Sequence, residues 1–110
     1  MKERSLRDVE LLVLLALVRL GPEAYGVPIA REIAASGGRR VALGSVYAAL
    51  ERLAEKGLVT SKLGEATRER GGRAKRYFQV TGEGLREARE TRRSLIGMWT
   101  GVPLLEGGRI

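Results

Sequence analysis

The feature that most constrains the fold is a long apolar stretch near the beginning of the chain, over residues 5–20. Apolar residues recur there at three- and four-residue steps, and further leucines and valines widen the stripe nearly all round the helix that this spacing predicts. Ser5 begins this helix with a capping-box pattern that ends on Asp8, and Gly21-Pro22 ends it. Because such a helix must be buried on more than one side, the rest of the chain has to cover it.

The same stretch is too short to cross a membrane. Its longest apolar run, from Leu11 to Val18, is far below the roughly 20 residues that a bilayer span needs. Acidic residues before this run, and Arg19 directly after it, argue against a secretory signal peptide. We therefore expect a cytoplasmic protein with no membrane partner.

Two further helices follow in close succession. Tyr25-Gly26 opens the second helix and Gly37-Gly38 ends it, whereas the third helix begins at Ser45 as N-cap and closes at Gly57. Residues 39–43 between them suit a short extended piece. Apolar residues form the predicted buried stripe of the third helix: Val46, Ala49, Leu50 and Leu53. Two helices joined in this way predict a helix-turn-helix unit.

A basic hairpin, called the wing below, directly follows the third helix. Strands are predicted over 58–64 and 74–80, with Gly71-Gly72 at the tip between them. Thr81 then caps a last helix over about 82–99. The order helix, helix, helix, hairpin, helix predicts a mainly α winged helix-turn-helix fold with a β-hairpin wing.

The length of the chain suits one such unit with little to spare, because 110 residues make a single domain. We expect the winged helix-turn-helix DNA-binding domain to occupy residues 1–80. Residues 81–110 then form a C-terminal dimerisation helix and a tail that is predicted to fray from Gly101.

Residue types that the sequence lacks exclude most catalysis. There is no Cys and no His, so the chain has no thiolate nucleophile, no imidazole base and none of the usual ligands of zinc, haem or iron–sulfur clusters. We expect neither an enzyme nor a metal site, and no cofactor.

The charge is concentrated in the wing. The chain carries a net charge of +7, and residues 61–80 alone hold six Lys and Arg against two Glu. A small basic domain indicates an anionic partner, and double-stranded DNA is the first choice beside a helix-turn-helix unit. The alternatives are a solubilising loop, or a winged-helix protein-interaction module that docks an acidic partner.

The third helix is the candidate reader of DNA. Ser45 and Tyr47 suit hydrogen bonds to phosphates or base edges, Ala48 allows close approach, and Arg52 is suited to guanine. The alternative is an ordinary solvated face, because the charges of this helix balance. The predicted DNA-binding residues of helix and wing are Ser45, Tyr47, Ala48, Arg52, Arg70, Arg73, Lys75, Arg76 and Tyr77.

The last helix carries apolar residues at steps of three and four, which is the spacing of a heptad seam. It either folds back on the first helix or meets a second copy of the chain. We favour the second copy, since the first helix needs more cover than one small domain provides. The predicted dimer interface comprises Val9, Val13, Leu17, Leu85, Ala88, Leu95 and Trp99.

Taken together, these motifs resemble the PadR family of winged-helix transcriptional regulators. Residues 25–29 resemble the family's Tyr-Gly motif, residues 44–53 its recognition helix, and residues 71–78 its wing. The resemblance covers about residues 5–90. The sequence departs from the pattern at Ser45, where Thr is usual, and at Ala48 and Ala74, where Pro is common.

The resemblance implies a dimeric repressor that binds a palindromic operator. The recognition helix would enter the major groove with Ser45 and Tyr47, and Arg73 and Lys75 would contact DNA from the wing, which Tyr77 would pack on the body. Some relatives bind flat aromatic effectors between paired helices. Trp99 would suit such an effector, but a packed dimer core explains this side chain equally well.

Overall fold

The computed structural model describes residues 6–22, 24–64 and 75–106. Within these ranges the chain forms a mainly helical domain with one two-stranded antiparallel hairpin, which confirms the predicted architecture. The elements in chain order are α1 (Asp8–Leu20), α2 (Gly26–Gly37), α3 (Leu43–Glu55), β1 (Val59–Leu63), β2 (Arg76–Val80), α4 (Gly82–Trp99) and α5 (Pro103–Glu106).

The core lies between the first three helices and the base of the wing. It is almost wholly aliphatic, and Phe78 of β2 is its one large aromatic side chain among the described residues. Helix α1 passes through the middle, since it packs against α2, α3, α4 and β2. The apolar side chains with no solvent exposure are Val13, Leu14, Ile29, Val46, Ala49, Leu50, Leu53 and Leu58.

Two helix starts differ from the prediction. Helix α1 begins at Asp8 rather than at Ser5, because the Glu10 carboxylate accepts the backbone N–H of Arg7 at 3.1 Å and so caps the helix there. Ser5 lies outside the described residues. Helix α3 begins at Leu43, with Ala42 as the extended N-cap residue. The predicted N-cap, Ser45, therefore lies in the first turn of α3.

The wing is joined to the body at the start of α2. Its strands pair antiparallel, with Val59 opposite Val80 and Ser61 opposite Phe78. The Phe78 N–H donates to the Ala24 carbonyl at 2.9 Å, so the segment before α2 adds a single bridge beside β2. The predicted tip, Gly71-Gly72, lies outside the described residues.

Helix α4 starts where the wing ends. Thr81 is the N-cap, as predicted: its Oγ1 accepts the Gly84 N–H at 3.0 Å and donates to the Gly57 carbonyl at 2.9 Å. Gly84 has no room for a side chain because the Leu58 carbonyl oxygen lies against it. The predicted frayed tail contains one more helical turn, α5, which begins at Pro103, a residue suited to a first helical position.

Candidate nucleic-acid interface

Helix α3 has one fixed face and one open face. Its inner stripe has no exposed surface, as the spacing of Val46, Ala49, Leu50 and Leu53 predicts. At its N-terminal end, Ser45 and Ala48 are exposed, and Tyr47 keeps 41% of its surface accessible. Three of the predicted DNA contacts thus lie together on the open surface of one helix.

Tyr47 also joins α3 to the start of α2. A Cβ atom on Gly26 would overlap the Tyr47 ring and its hydroxyl, so a larger residue here would displace the ring from its place on α2. The Tyr-Gly pair indicated a helix start in the sequence, but it gave no sign of which side chain would lie on the glycine. Gly26 is therefore a site residue that sequence reasoning missed.

The base of the wing is held by an aromatic contact. The Lys75 Nζ lies 3.5 Å from the centroid of the Tyr25 ring, a favourable position for a cation. The Tyr25 and Tyr77 rings meet edge to face, with centroids 5.8 Å apart. Tyr77 therefore packs the wing against the start of α2, and Lys75 is positioned beside it.

Arg76 connects the wing to α3. Its Nη1 lies 3.1 Å from Glu51 Oε2, and its Nε donates to Ser61 Oγ at 3.2 Å. Both partners of the ion pair are largely exposed, so the pair contributes little stability. Two other predicted wing contacts, Arg70 and Arg73, lie outside the described residues.

Arg52 forms an ion pair with a buried carboxylate of α1. Its Nε lies 2.6 Å from Glu10 Oε2, and Lys56 Nζ lies 2.7 Å from the other carboxylate oxygen. Glu10 is completely buried. A contact with guanine would compete with this ion pair for the Arg52 side chain, and the predicted guanine contact stays a prediction.

The Glu10 carboxylate is ionised in this setting. Burial by itself would raise its pKa, but hydrogen bonds from Lys56, Arg52 and the Arg7 backbone outweigh that effect and bring the pKa below the ordinary value of 4.5. The sequence held a signal for this site that was missed. Glu10 precedes Val13 by three residues and Leu14 by four, which places a charge on the buried stripe of α1.

A second surface lies on the other side of α1. A groove of about 370 Å³ runs between α1 and α4, and we call it the α1–α4 groove. Its apolar walls consist of Leu11, Leu15, Val18, Leu85, Ala88, Leu95 and Ile96. Arg89 and Arg92 also line it.

Two residues of the predicted dimer interface are corrected by this geometry. Val13 and Leu17 are 0% and 2% exposed, because they point into the core of their own domain. Val9 is half-buried and packs against the same core. The exposed apolar residues of α1 are instead Leu15, Val18 and Leu20. A helix that is apolar all round does not reveal which side its own chain will cover.

Neither a metal site nor a membrane-crossing helix is found in the part of the chain that the structure describes. No three carboxylate side chains in residues 6–22, 24–64 and 75–106 converge in a way that would hold a metal ion. No helix in the same ranges combines the length and the apolar character that a bilayer crossing needs.

Solved structures share this arrangement of helices and wing. A transcriptional regulator from Clostridium thermocellum superposes with a TM-score of 0.74 at 21% identity, over 88% of this chain and 91% of that one. A PadR-family transcriptional regulator from Eggerthella lenta superposes with a TM-score of 0.69 at 30% identity, over 86% of this chain and 80% of that one. A PadR-like transcriptional regulator from Bacillus cereus superposes with a TM-score of 0.68 at 25% identity, over 92% of this chain and 93% of that one. No curated protein shows significant similarity to the chain.

An open helix face beside a basic hairpin defines a winged-helix DNA-binding protein. The sequence profile of the transcriptional regulator PadR-like family matches residues 14–90, which is most of the chain. The chain belongs to this family, as its motifs suggested. The family consists of transcriptional regulators, so the chain is a DNA-binding regulator and not an enzyme.

Proposed function

We propose that the chain is a dimeric repressor that binds a palindromic operator through α3 of each copy. The observation that carries this proposal is the division of α3 into a fully buried stripe and an open N-terminal surface formed by Ser45, Tyr47 and Ala48. A helix that reads the major groove needs one side packed against its own domain and one side exposed to DNA, with small or hydrogen-bonding side chains near its N-terminus.

The wing supplies the sequence-independent part of the binding. Lys75 is positioned at the base of the wing by the Tyr25 ring. Arg70 and Arg73 are included as DNA contacts because the basic charge of the chain is concentrated in this segment. Cations on a hairpin beside the recognition helix contact phosphates or the minor groove. Each such contact makes the affinity depend on salt, because counterions are released from DNA when the protein binds.

The dimer is argued from what α4 leaves uncovered. This helix has 18 residues, and the only residue that it buries is Gly84. The exposed fractions are 54% for Leu95 and 53% for Trp99, and the neighbouring α1–α4 groove is apolar as well. Contiguous apolar surface on a soluble domain marks an interface. We propose that α4 of a second copy occupies the groove, in a two-fold symmetric pair.

The proposal extends to the effector and the location that the sequence suggested. Trp99 and Met98 are exposed on α4 and offer a flat aromatic compound a stacking surface in the paired helices. Quenching of the emission of Trp99, the only Trp in the chain, would report such binding. We also propose that the chain acts in the cytoplasm, since a regulator of transcription must reach the chromosome.

A gel shift tests the DNA-binding part directly. The probe is the duplex upstream of the gene for this chain, compared with a random duplex of equal length at two salt concentrations. We expect tighter binding to the upstream duplex, and weaker binding to both duplexes at the higher salt. Failure to bind either duplex at low salt would contradict the proposal and favour the protein-interaction module.

A further inference from the structure

The buried carboxylate of Glu10 forms ion pairs with two residues at the C-terminal end of the recognition helix. Arg52 lies in the last turn of α3 and Lys56 is the C-cap residue that follows it, and each contacts a different oxygen of Glu10, at 2.6 and 2.7 Å. From this geometry we infer that Glu10 is a positioning residue that fixes the orientation of α3 and thereby its discrimination between base sequences. The inference rests on the proposed function, because it assumes that α3 reads DNA.

Two kinds of contact hold α3 against the rest of the domain. Its apolar stripe holds it against α1 and α2, but such packing has no direction and permits small rotations and shifts. Charge-assisted hydrogen bonds are short and directional, and two of them a turn apart fix both the rotation and the position of the helix. They act on the C-terminal half of α3, whereas Ser45 and Ala48 at the N-terminal end are exposed.

Stability alone is a weak reason for a carboxylate at this position. Glu10 has no exposed surface and lies on the apolar stripe of α1, where a leucine would also pack. A buried ion pair replaced by well-packed apolar residues often leaves a protein equally or more stable, because burying charges is costly. The cluster is better explained by the unique orientation that it imposes on α3.

Glu10 also connects the two surfaces of the domain. The next residue, Leu11, lines the α1–α4 groove, and so do Leu15 and Val18 further along α1. Helix α1 thus carries the carboxylate that holds α3 and the wall on which the proposed partner rests. The orientation of α3 is therefore set from the helix that also forms the dimer.

The test compares discrimination in the wild type and in Glu10→Gln. The probes are the duplex that the wild-type full chain enriches most from a randomised pool, and a random-sequence duplex. The measured quantity is the ratio of the two affinities, at a temperature where both proteins are fully folded. We expect the ratio to fall about tenfold in Glu10→Gln, comparable to one mismatched base pair. The affinity for the random duplex should stay unchanged.

A matched control separates orientation from general destabilisation. Ile33→Ala truncates a buried side chain of α2 and leaves the charged cluster intact. Its ratio should equal that of the wild type, since a folded molecule with a correctly held α3 discriminates normally. A ratio that falls equally in Ile33→Ala and Glu10→Gln would overturn the inference.

Arg52→Met is the second variant, and it decides the question if Glu10→Gln does not fold. Arg52 is partly exposed, so its truncation disturbs the core less. A loss of discrimination spread over all positions of the selected site supports positioning, whereas a loss confined to one base pair would make Arg52 a reader and overturn the inference. An unchanged ratio in both variants overturns only the inference. A wild type that enriches no sequence contradicts the proposed function, and the inference falls with it.

Discussion

Helices α3 and α4 show two different relations between a helix and its own chain. Helix α3 has 13 residues and buries four apolar side chains completely, and an ion pair between Arg52 and the buried Glu10 joins it to α1. Helix α4 has 18 residues, yet glycine is the only residue type that it buries. The inner side of α3 is therefore covered by its own chain, whereas most of the surface of α4 is not.

The character of the two open surfaces differs in the same way. The open side of α3 presents a hydroxyl, a tyrosine and a small side chain, whereas α4 presents Leu95, Ile96 and Trp99. Exposed polar groups on a rigidly held helix suit a hydrated partner such as DNA. Exposed apolar groups suit a second protein surface. The comparison assigns recognition to one helix and self-association to the other.

The largest expected effect tests the contrast in packing. Leu50→Ala removes a completely buried side chain of α3 and should lower the free energy of unfolding by about 2–5 kcal/mol. Leu95→Ala on α4 should change it by less than about 1 kcal/mol in dilute protein, where the chain is monomeric. Urea unfolding followed by circular dichroism measures both. Equal losses would show that α4 is packed within its own chain after all.

A slightly smaller effect concerns association through α4. Trp99→Ala should weaken the dimer by about 2–4 kcal/mol, because large aromatic anchors dominate interfaces. Sedimentation velocity should then show a monomer at concentrations where the wild type is dimeric. Val27→Ala is the control, since Val27 is an exposed apolar residue of α2 that does not line the α1–α4 groove. A wild type that sediments as a monomer at micromolar concentration would refute the dimer.

The pH dependence of stability tests how α3 is held. The pKa of Glu10 is lower in the folded chain than its ordinary 4.5, so its stabilising contribution is fully present above that pH and is lost as the pH falls through the lowered pKa. Thermal unfolding between about pH 6 and pH 2 should show the wild type losing more stability than Glu10→Gln, which has no carboxylate to protonate at this position. Parallel curves for the two proteins would mean that Glu10 does not contribute.

The smallest effect concerns the wing. Lys75→Gln should reduce the slope of log affinity against log salt by about one, and should weaken binding to selected and random duplexes equally. Arg93→Gln removes the same charge from α4, away from the wing, and serves as the control. An unchanged slope in Lys75→Gln would remove this lysine from the interface.

Local patterns in the sequence predicted the fold well, and long-range contacts explain what they missed. The helix order, the hairpin and the Thr81 cap depend on residues close together in the chain, and all three are confirmed. The role of Arg52 depends on Glu10, which lies 42 residues away, so the spacing within one helix suggested an open side chain. Val13 was assigned to a partner because α1 is apolar on every side.

The DNA contacts of Ser45, Tyr47, Ala48 and the wing stay predictions, because they concern a partner and not the chain's own packing. The structure does show that the first three share one open surface, which their spacing had suggested. It also shows that Lys75 and Tyr77 meet Tyr25 at the start of α2. The resemblance implied that Tyr77 packs the wing on the body, but not which residue it would meet.

Selection of duplexes from a randomised pool by the wild-type protein tests the central claim most directly. Two recognition helices related by a two-fold axis should enrich an inverted repeat whose half-sites are about one duplex turn apart, near 34 Å. The same selection with Trp99→Ala should lose the repeat and enrich at most a single half-site. Enrichment of an asymmetric sequence by the wild type, or of no sequence at all, would contradict a dimer that reads DNA through α3 and assembles through α4.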